Sequence, residues 1–539
     1  MTGANSLPTP GGSLSAARRE RELARLAGGE VVDLLVVGGG VTGAGVALDA
    51  ASRGLSVALV EAHDLAWGTS RWSSKLVHGG LRYLASGDLA LAMESAAERD
   101  ILMRRTAPHL VHPVPIMVPL TPDVRRADAA AMVAGLRVAD LLRRCARTPS
   151  GTLPPPRRLT AVETHQLAPT LRDAGLRGGL LYWDGQLVDD ARLVVAIART
   201  AAAHGARVLT RLRVRTLDGT EALVEDALTG SAFSVRARSV VNATGVWAPT
   251  LTPEIRLRPS RGTHLVVAAA AFGGTRTALT VPMPGERNRY ALVLPQDDGR
   301  VYVGLTDVPA ETVEEVPRPT AAEVEALLGV VSGVLDAPLD RADVRGAFAG
   351  LRPLLDVADG GGHPGRAARR RAGGRSADLS RRHAVRVGPT GVVTVVGGKL
   401  TTYRRMARDA VDAAVAHAGL TADACRTARL PLVGAAPRAQ LAAVPAPRRL
   451  VERYGTEAPA VLAEAADDPG LLAPIIPGLS VTGAELLFAL RHEGALDLDD
   501  LLDRRTRIGL VASDRTAAVG RAAQLVDLER ALGRPPIGR

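Results

Sequence analysis

The chain has 539 residues, a formal net charge of +11 and 46% hydrophobic residues, but only 3% aromatic residues. This length predicts two or three structural units, and the aliphatic composition favours an α/β core. The two cysteines, Cys145 and Cys425, lie far apart and form no CxxC pair, so we expect neither a disulfide framework nor a metal site. The basic residues are spread through helical segments, which argues against nucleic-acid binding and leaves solvated surface, anion binding and contact with anionic lipid.

No apolar run reaches the roughly 18 residues that a spanning helix needs, and the N-terminus lacks a signal-peptide pattern. We therefore expect a cytoplasmic protein that at most touches the inner face of the plasma membrane. The sequence does not fix the oligomeric state, and a homodimer is one option.

Three regions follow each other along the chain. Residues 1–30 read as a flexible tail with one short helix. In residues 31–410, short β-branched runs alternate with alanine-rich helical segments, which predicts a nucleotide-binding α/β core interleaved with an antiparallel substrate lobe. Residues 411–539 carry helical patterning alone and predict an all-helical domain. Two polar stretches, 150–160 and 360–375, read as a proline-rich linker and a Gly/Arg-rich loop.

Lysine occurs only twice among the 67 basic residues, at Lys75 and Lys399, and both positions lie in glycine-rich contexts. Arginine is a wide planar fork, whereas lysine is a compact point charge whose pKa burial can change. We therefore expect both positions to need an ammonium beside a buried, electron-rich partner.

A glycine turn after the first predicted strand marks the strongest motif. Gly38, Gly40 and Gly43 directly follow DLLVV, and Glu61 closes the next predicted strand. In this context the glycines allow a tight turn, a close approach to a pyrophosphate and close helix packing, while the acid binds ribose hydroxyls. The sequence therefore predicts a dinucleotide site.

FAD is favoured over NAD because three separated segments add donors. The run WGTSRWSSKLVHGG supplies hydroxyls and amides, VVNATG brings backbone close to the cofactor, and VVGGKLTTYR places amides and an ammonium at a helix start. The predicted FAD contacts are Gly38, Gly40, Val41, Thr42, Gly43, Glu61, Thr69, Ser70, Ser73, Ser74, Lys75, Leu76, Gly79, Ala243, Thr244, Gly245, Gly398, Lys399, Leu400 and Thr401.

An anionic substrate, preferably a phosphate, fits the arginines near these segments, because the guanidinium fork binds phosphate oxygens in pairs. The candidates are Arg82 beside Tyr83, Arg352, Arg381 and Arg382. His78 precedes the first of them and could be structural or catalytic.

The motifs DLLVVGGGVTGAG, HGGLRYL, RPSRGTHLVV, AGLRPLL and VVGGKLTTYR together resemble the FAD-dependent glycerol-3-phosphate dehydrogenases. The match runs in order from about residue 33 to residue 409, and the helical tail resembles that family's C-terminal domain. The resemblance implies a glutathione-reductase-like flavin fold that oxidises sn-glycerol 3-phosphate to dihydroxyacetone phosphate by hydride transfer from C2 to flavin N5. Electrons would then pass to membrane quinone.

The resemblance also implies residue roles. His78, Arg352 and Lys399 would lie at the flavin face, and Arg82, Tyr83, Arg352 and Arg381 would bind the substrate. On chemical grounds we assign His78 as the base and Arg352 to polarise the C2 oxygen, with Lys399 offsetting charge on the reduced flavin or transferring a proton. The 360–375 insertion and Trp72 depart from the family pattern and bear on the phosphate site.

Three alternatives remain open at this point. An oxidase of the same fold would use O2 as acceptor, and a related amine or amino-acid oxidase would use another substrate. A flavin-containing RNA-binding protein would need a concentrated basic patch with aromatic stacking, which this aromatic-poor sequence does not display.

Overall fold

The computed structural model describes residues 12–85, 87–283, 289–356 and 382–532; the side chains of Arg82 and Ala85 lie outside that description. The predicted loop at 360–375 and Arg381 also lie outside the described residues. No helix in these ranges is long and apolar enough to cross a membrane.

One sheet forms the nucleotide-binding core. Its strands lie in the order β17-β18-β10-β1-β2-β7, parallel except for the edge strand β17, and an antiparallel hairpin of β8 and β9 extends β10. The strands are β1 (Val32–Val37), β2 (Val57–Val60), β7 (Arg207–Leu209), β8 (Leu212–Leu217), β9 (Glu221–Asp226), β10 (Ala232–Asn242), β17 (His383–Val387) and β18 (Val393–Gly397).

Both faces of this sheet are covered, which explains the nearly continuous apolar runs. Leu34 and Val36 of β1 belong to one core cluster, whereas Leu35 and Val37 belong to another, because successive strand side chains point to opposite faces. The helices of this part of the chain are α1 (Ala16–Ala27), α2 (Val41–Ser52), α3 (Leu81–Ala85), α4 (Leu89–Ile101), α5 (Arg126–Cys145), α6 (Ala161–Leu167), α7 (Asp190–Ala203), α8 (Ala248–Leu251), α9 (Ala321–Ser332) and α10 (Tyr403–Ala418).

A second sheet forms the other lobe. Its order is β15-β11-β14-β13-β12-β4-β6-β3, with β16 beside β11 and β5 beside β6, and the pair β4/β12 is parallel while the others are antiparallel. Its strands are β3 (Leu76–Val77), β4 (Val111–Pro119), β5 (Arg157–Leu159), β6 (Gly179–Leu187), β11 (Ser260–Ala268), β12 (Ala278–Pro282), β13 (Tyr290–Pro295), β14 (Arg300–Gly304), β15 (Val308–Pro309) and β16 (Val344–Arg352). The strands of the two sheets alternate along the chain, so the interleaved architecture is confirmed.

The C-terminal region is helical. Its helices are α11 (Arg438–Ala442), α12 (Arg448–Tyr454), α13 (Ala458–Ala463), α14 (Gly483–His492) and α15 (Ala512–Ala531). They enclose a separate core that includes Leu486, Leu502 and Leu525. The predicted boundary at residue 411 falls inside α10, which packs against α2 and ends at Gly419, where φ is +58°.

The described part of the predicted N-terminal tail contains the expected short helix. Ser15 caps α1, Leu26 is buried, and Arg19 Nη2 lies 2.8 Å from Asp226 Oδ1. This helix is therefore docked on the nucleotide-binding core.

Candidate functional site

A cleft of about 2230 Å³ opens beside both sheets. It is lined by most of the residues that the sequence selects, namely Gly38, Gly40, Val41, Thr42, Glu61, Thr69, Ser70, Ser73, Ser74, Leu76, His78, Tyr83, Ala243, Thr244, Gly245, Arg352, Gly398, Lys399, Leu400 and Thr401. Segments separated by more than three hundred residues in sequence, such as those of Gly38 and Lys399, thus share one cavity.

The glycine turn has the close approaches that its motif predicts. Gly38 adopts a φ of +109°, and a Cβ added at Gly43 would lie 1.8 Å from the Gly38 carbonyl oxygen. Gly43 therefore serves packing rather than direct contact, and it does not line the cleft. Gly40 precedes α2, and Gly40, Val41 and Thr42 line the cavity at the start of this helix. This is the geometry that attracts a phosphate.

Glu61 lies at the end of β2, where the motif places a ribose-binding acid. Its Oε2 accepts a hydrogen bond from Gly39 N at 2.6 Å, and its Oε1 accepts one from His63 N at 2.9 Å. Burial raises the pKa of this carboxyl above its ordinary value. A carboxylate has about four acceptor positions, so capacity for two ribose hydroxyls remains.

The structure gives Lys75 a role other than cofactor contact. Its side chain is 2% exposed, and the ammonium lies 3.0 Å from Asp190 Oδ2 and 4.6 Å from the Phe348 ring centroid. Lys75 does not line the cleft, so the ammonium lies behind the wall. The expectation of a buried, electron-rich partner is met, but the expected contact of this ammonium with FAD is not.

The hydroxyls of the serine-rich segment are also engaged within the protein. Thr69 Oγ1 donates to Leu351 O at 2.6 Å, Ser73 Oγ donates to Asp190 Oδ2 at 2.7 Å, and Ser74 Oγ lies 2.9 Å from His264 Nε2. Ser70 Oγ differs, because it accepts from Val41 N and so retains a proton to donate at the start of α2. The other three hydroxyls shape the wall.

Gly79 lies behind the cleft wall rather than on it. Its amide donates to both oxygens of Asp184 at 3.0 and 3.1 Å, and a Cβ at this position would lie 2.2 Å from Arg99 Nη1. The glycine therefore makes room for the Arg99–Asp184 ion pair.

Arg352 lies at the end of β16 with its guanidinium held from two sides. Nη1 lies 3.1 Å from Ser260 Oγ and 3.3 Å from Asp307 Oδ1, and Nη2 donates to Thr306 O at 3.0 Å. Gly262 makes this possible, because a Cβ there would lie 2.2 Å from Arg352 Nη2. A cation is thereby fixed at one orientation in the cleft wall.

Lys399 lies where β18 gives way to α10, in the same cleft as His78. Its Nζ is 3.5 Å from the centroid of the buried Tyr83 ring and 3.1 Å from Ser95 Oγ. The Tyr83 and His78 ring centroids are 6.1 Å apart. The electron-rich partner expected for this lysine is thus Tyr83, and two of the three predicted catalytic groups, His78 and Lys399, lie near it.

His264 is a cleft residue that the sequence did not single out. It lies on β11, stacks on Phe348 with centroids 4.8 Å apart, and is fully buried. Burial first, then Lys75 and Arg352, hold its pKa well below the ordinary value, so it is neutral. Its only sequence signal is a histidine interrupting the apolar run of a strand.

Comparisons with known proteins agree with this geometry. Residues 33–404 match the family model described as FAD dependent oxidoreductase, and residues 425–531 match the C-terminal domain of alpha-glycerophosphate oxidase. Glycerol-3-phosphate dehydrogenase 1 of Mycobacterium tuberculosis is 51% identical over 518 residues, covering 95% of this chain and 98% of that protein. Glycerol-3-phosphate dehydrogenase 2 of the same species is 38% identical over 527 residues, covering 93% of this chain and 85% of that protein. The chain belongs to the FAD-dependent glycerol-3-phosphate dehydrogenase family.

A solved member of this family supports the same assignment. The glycerol-3-phosphate dehydrogenase of Bacillus halodurans, complexed with FAD, superposes with a TM-score of 0.71 at 26% identity, covering 97% of this chain and 98% of that one. FAD is thus the cofactor of this glycerol-3-phosphate dehydrogenase family member. The residues fit it, since the start of α2 lines the cleft, where a helix N-terminus attracts a pyrophosphate, and Glu61 offers acceptors to a ribose.

The arginines assigned to the substrate phosphate are only partly described. The Arg82 side chain and Arg381 lie outside the described residues, while Arg382 forms an ion pair with Asp88 at 2.9 Å. Arg289, which the sequence did not select, lines the cleft of this dehydrogenase and donates to Asp307 O at 3.2 Å.

Proposed function

We propose that this protein oxidises sn-glycerol 3-phosphate to dihydroxyacetone phosphate and passes the electrons to a membrane quinone. The observation that carries the proposal is the convergence of His78, Arg352 and Lys399 on the cleft that the FAD motif also lines. These groups supply an imidazole and two cations, which suit removal of a hydroxyl proton beside a phosphate monoester.

The start of α2 and Glu61 would hold FAD, whose N5 would supply the acceptor for the hydride that leaves C2 of the substrate. His78 takes the proton of the C2 hydroxyl, because a neutral imidazole has a free lone pair near pH 7. Arg352 faces the developing negative charge on the C2 oxygen. Its orientation is set in advance by Ser260, Thr306 and Asp307, so no reorganisation is needed as that charge forms.

Lys399 provides the second positive charge. Tyr83 and Ser95 hold its ammonium in the cleft that His78 also lines, and a cation there would lower the free energy of negative charge on the reduced cofactor. The substrate phosphate would bind to cations of the same cleft, with Arg82, Arg381 and Arg289 as the candidates.

Anaerobic titration of the purified protein with sn-glycerol 3-phosphate tests the first half-reaction. We expect the visible flavin band to bleach, and to return when a quinone is added without oxygen. Glycine and proline serve as controls for an amino-acid oxidase of similar fold and should leave the band unchanged. A band that stays unchanged with sn-glycerol 3-phosphate would reject the substrate, and return of the band with O2 alone would favour an oxidase.

Membrane contact is the second part of the proposal, with the protein peripheral on the cytoplasmic face. Two exposed apolar side chains, Leu89 of α4 and Val138 of α5, line the cleft and are 54% and 42% exposed. Exposed apolar side chains at the cleft of a protein of charge +11 suit an acidic membrane surface that holds a quinone.

Sedimentation with vesicles of anionic lipid tests the surface. Leu89→Glu and Val138→Glu should each lower binding and slow quinone-dependent turnover, while leaving reduction by substrate unchanged. Val162→Glu is the matched control, because Val162 is 67% exposed but lies on α6 and does not line the cleft. Equal losses in all three variants would contradict this surface.

A further inference from the structure

The C-terminal helical domain joins the rest of the protein through buried ion pairs rather than through apolar contact alone. Among the described residues the pairs include Arg192–Glu493, Arg199–Glu457, Arg300–Asp514, Arg211–Asp500, Arg453–Asp189, Arg504–Asp64, Arg505–Asp64 and Arg507–Asp190. Arg504 and Arg505 reach Asp64, which follows the cleft residue His63. Arg507 reaches Asp190, which contacts the serine-rich segment of the cleft wall.

Arg507 donates hydrogen bonds to Asp190 and to the backbone of residue 71. Its Nη1 donates to Asp190 Oδ1 and to Arg71 O, both at 2.8 Å, and the side chain is 6% exposed. Within the described residues, its Nε and Nη2 atoms have no hydrogen-bond partner. The guanidinium therefore acts on Asp190 and on the backbone of residue 71.

Asp190 in turn organises the turn at residues 71–76. Its Oδ2 accepts from Ser73 N at 2.9 Å and from Ser73 Oγ at 2.7 Å, and lies 3.0 Å from Lys75 Nζ. Lys75 has a φ of +54°, a conformation that a non-glycine residue adopts only when its surroundings hold it there. Arg507 occupies the other oxygen of the same carboxylate and so fixes its orientation.

The held turn faces the cleft. Ser73, Ser74 and Leu76 line the cavity, and Ser74 Oγ contacts His264 Nε2 at 2.9 Å. A continuous series of buried contacts thus runs from the C-terminal domain to the wall of the FAD site.

We propose that Arg507 is a positioning residue for FAD, through which the C-terminal domain completes the cofactor site. It acts through Asp190 on residues 71–76 and touches no reacting atom. Removing it leaves Asp190 Oδ1 with the Ala191 amide and the Arg71 carbonyl with the Lys75 ammonium, so each acceptor loses its guanidinium donor and the turn is held less firmly against the cofactor. The inference concerns cofactor retention and is independent of the proposed substrate and acceptor.

The test measures the rate at which FAD leaves the holoenzyme after dilution, followed by the rise in free-flavin fluorescence. Arg507→Met should release FAD about tenfold faster or more, since hydrogen bonds to charged groups are lost. Glu457→Gln is the matched control: it removes an interdomain ion pair to Arg199, whose Nη1–Oε2 distance is 2.7 Å, but contacts nothing in residues 71–76. It should lower thermal stability and leave FAD release unchanged.

Amide hydrogen exchange of the holoenzyme gives a second measurement. In Arg507→Met, exchange should rise at residues 71–76 while the amides of α14 stay as protected as in Glu457→Gln. Arg507→Lys keeps the positive charge but loses the planar guanidinium, so this variant should release FAD at a rate between those of wild type and Arg507→Met. If Arg507→Met does not fold, the release rate of Arg507→Lys tests the proposal. The proposal would be overturned if the Arg507 variants released FAD at the wild-type rate, or if Glu457→Gln released FAD as fast as they do.

Discussion

The two lysines occupy matching local settings but different sides of the cleft wall. Each ammonium lies on an aromatic ring, Lys75 at 4.6 Å from the Phe348 centroid and Lys399 at 3.5 Å from the Tyr83 centroid. Lys75 is sealed in the core behind the wall, whereas Lys399 lines the cavity. A compact cation is needed at both positions, but only one of them faces the chemistry.

The acceptors around Lys75 explain why arginine has not replaced it. Asp190 Oδ2, Ser73 O and Arg71 O surround Nζ at 3.0, 2.9 and 3.1 Å, which matches the three protons of one ammonium. A planar fork cannot direct three donors from a single nitrogen. The presence of lysine therefore indicates the local geometry at both positions. The burial of each ammonium decides whether it stabilises the fold, as at Lys75, or faces the cleft, as at Lys399.

The largest effect is expected at His78, which lines the cleft near Tyr83, the aromatic residue that contacts Lys399. His78→Asn keeps a hydrogen-bonding side chain but removes the base, so flavin reduction by sn-glycerol 3-phosphate should slow by roughly 10²- to 10⁴-fold. Stopped-flow absorbance under anaerobic conditions measures it. The melting temperature should stay near wild type, and a near-normal reduction rate would contradict the assignment of the base.

Lys399→Met should lower the same rate by about 100-fold, because a preorganised charge is lost from the site. Lys75→Met provides the contrast within the same residue type. With FAD at saturation its reduction rate should fall far less, since its ammonium does not line the cleft. Equal rate losses in the two variants would show that the cleft wall does not separate the two roles.

The free energy of unfolding should show the reverse order, with a larger loss in Lys75→Met than in Lys399→Met. Lys75→Met leaves Asp190 with one cationic partner fewer in a buried site, and we expect a loss of about 3 kcal/mol in the free energy of unfolding. Lys75→Arg should lose a similar amount, because the three acceptors converge on one point. Urea denaturation at a fixed excess of FAD measures both, and Lys399→Met is the control. An arginine variant as stable as wild type would refute the geometric explanation.

The sequence predicted those parts of the site that depend on short-range spacing. The glycine turn, Glu61 and the start of α2 lie within about 25 residues, and their geometry follows from strand, turn and helix alone. His78, Arg352 and Lys399 could be brought to one cleft only through the family resemblance, since their segments meet by tertiary packing.

The assignments that failed depend on distant partners. The Ser73 hydroxyl and the Lys75 ammonium look available for a phosphate in sequence, but Asp190, which lies 117 residues beyond Ser73, engages both. His264 was missed for the same reason: it becomes a cleft residue because β11 pairs with β14 and β16. The predicted domain boundary at residue 411 falls inside α10, because the helix continues to Gly419, the first residue beyond that boundary that favours a helix stop.

The smallest expected effect is a pH dependence that belongs to Lys75 alone. Burial first, then Arg507, lower the pKa of this ammonium to about 8 from its ordinary 10.5, against the opposing effect of Asp190. Between these two values the unfolded chain holds a proton that the folded protein does not, so stability from this group rises with pH. The difference in unfolding free energy between wild type and Lys75→Met should therefore be constant below pH 8 and grow above it, by at most about 1.4 kcal/mol per pH unit. Urea denaturation of both proteins at pH 7, 8.5 and 9.5 measures the difference. A difference that stays constant from pH 7 to 9.5 would mean that Lys75 stays charged in the core, and that its ion pair with Asp190 outweighs the cost of burial.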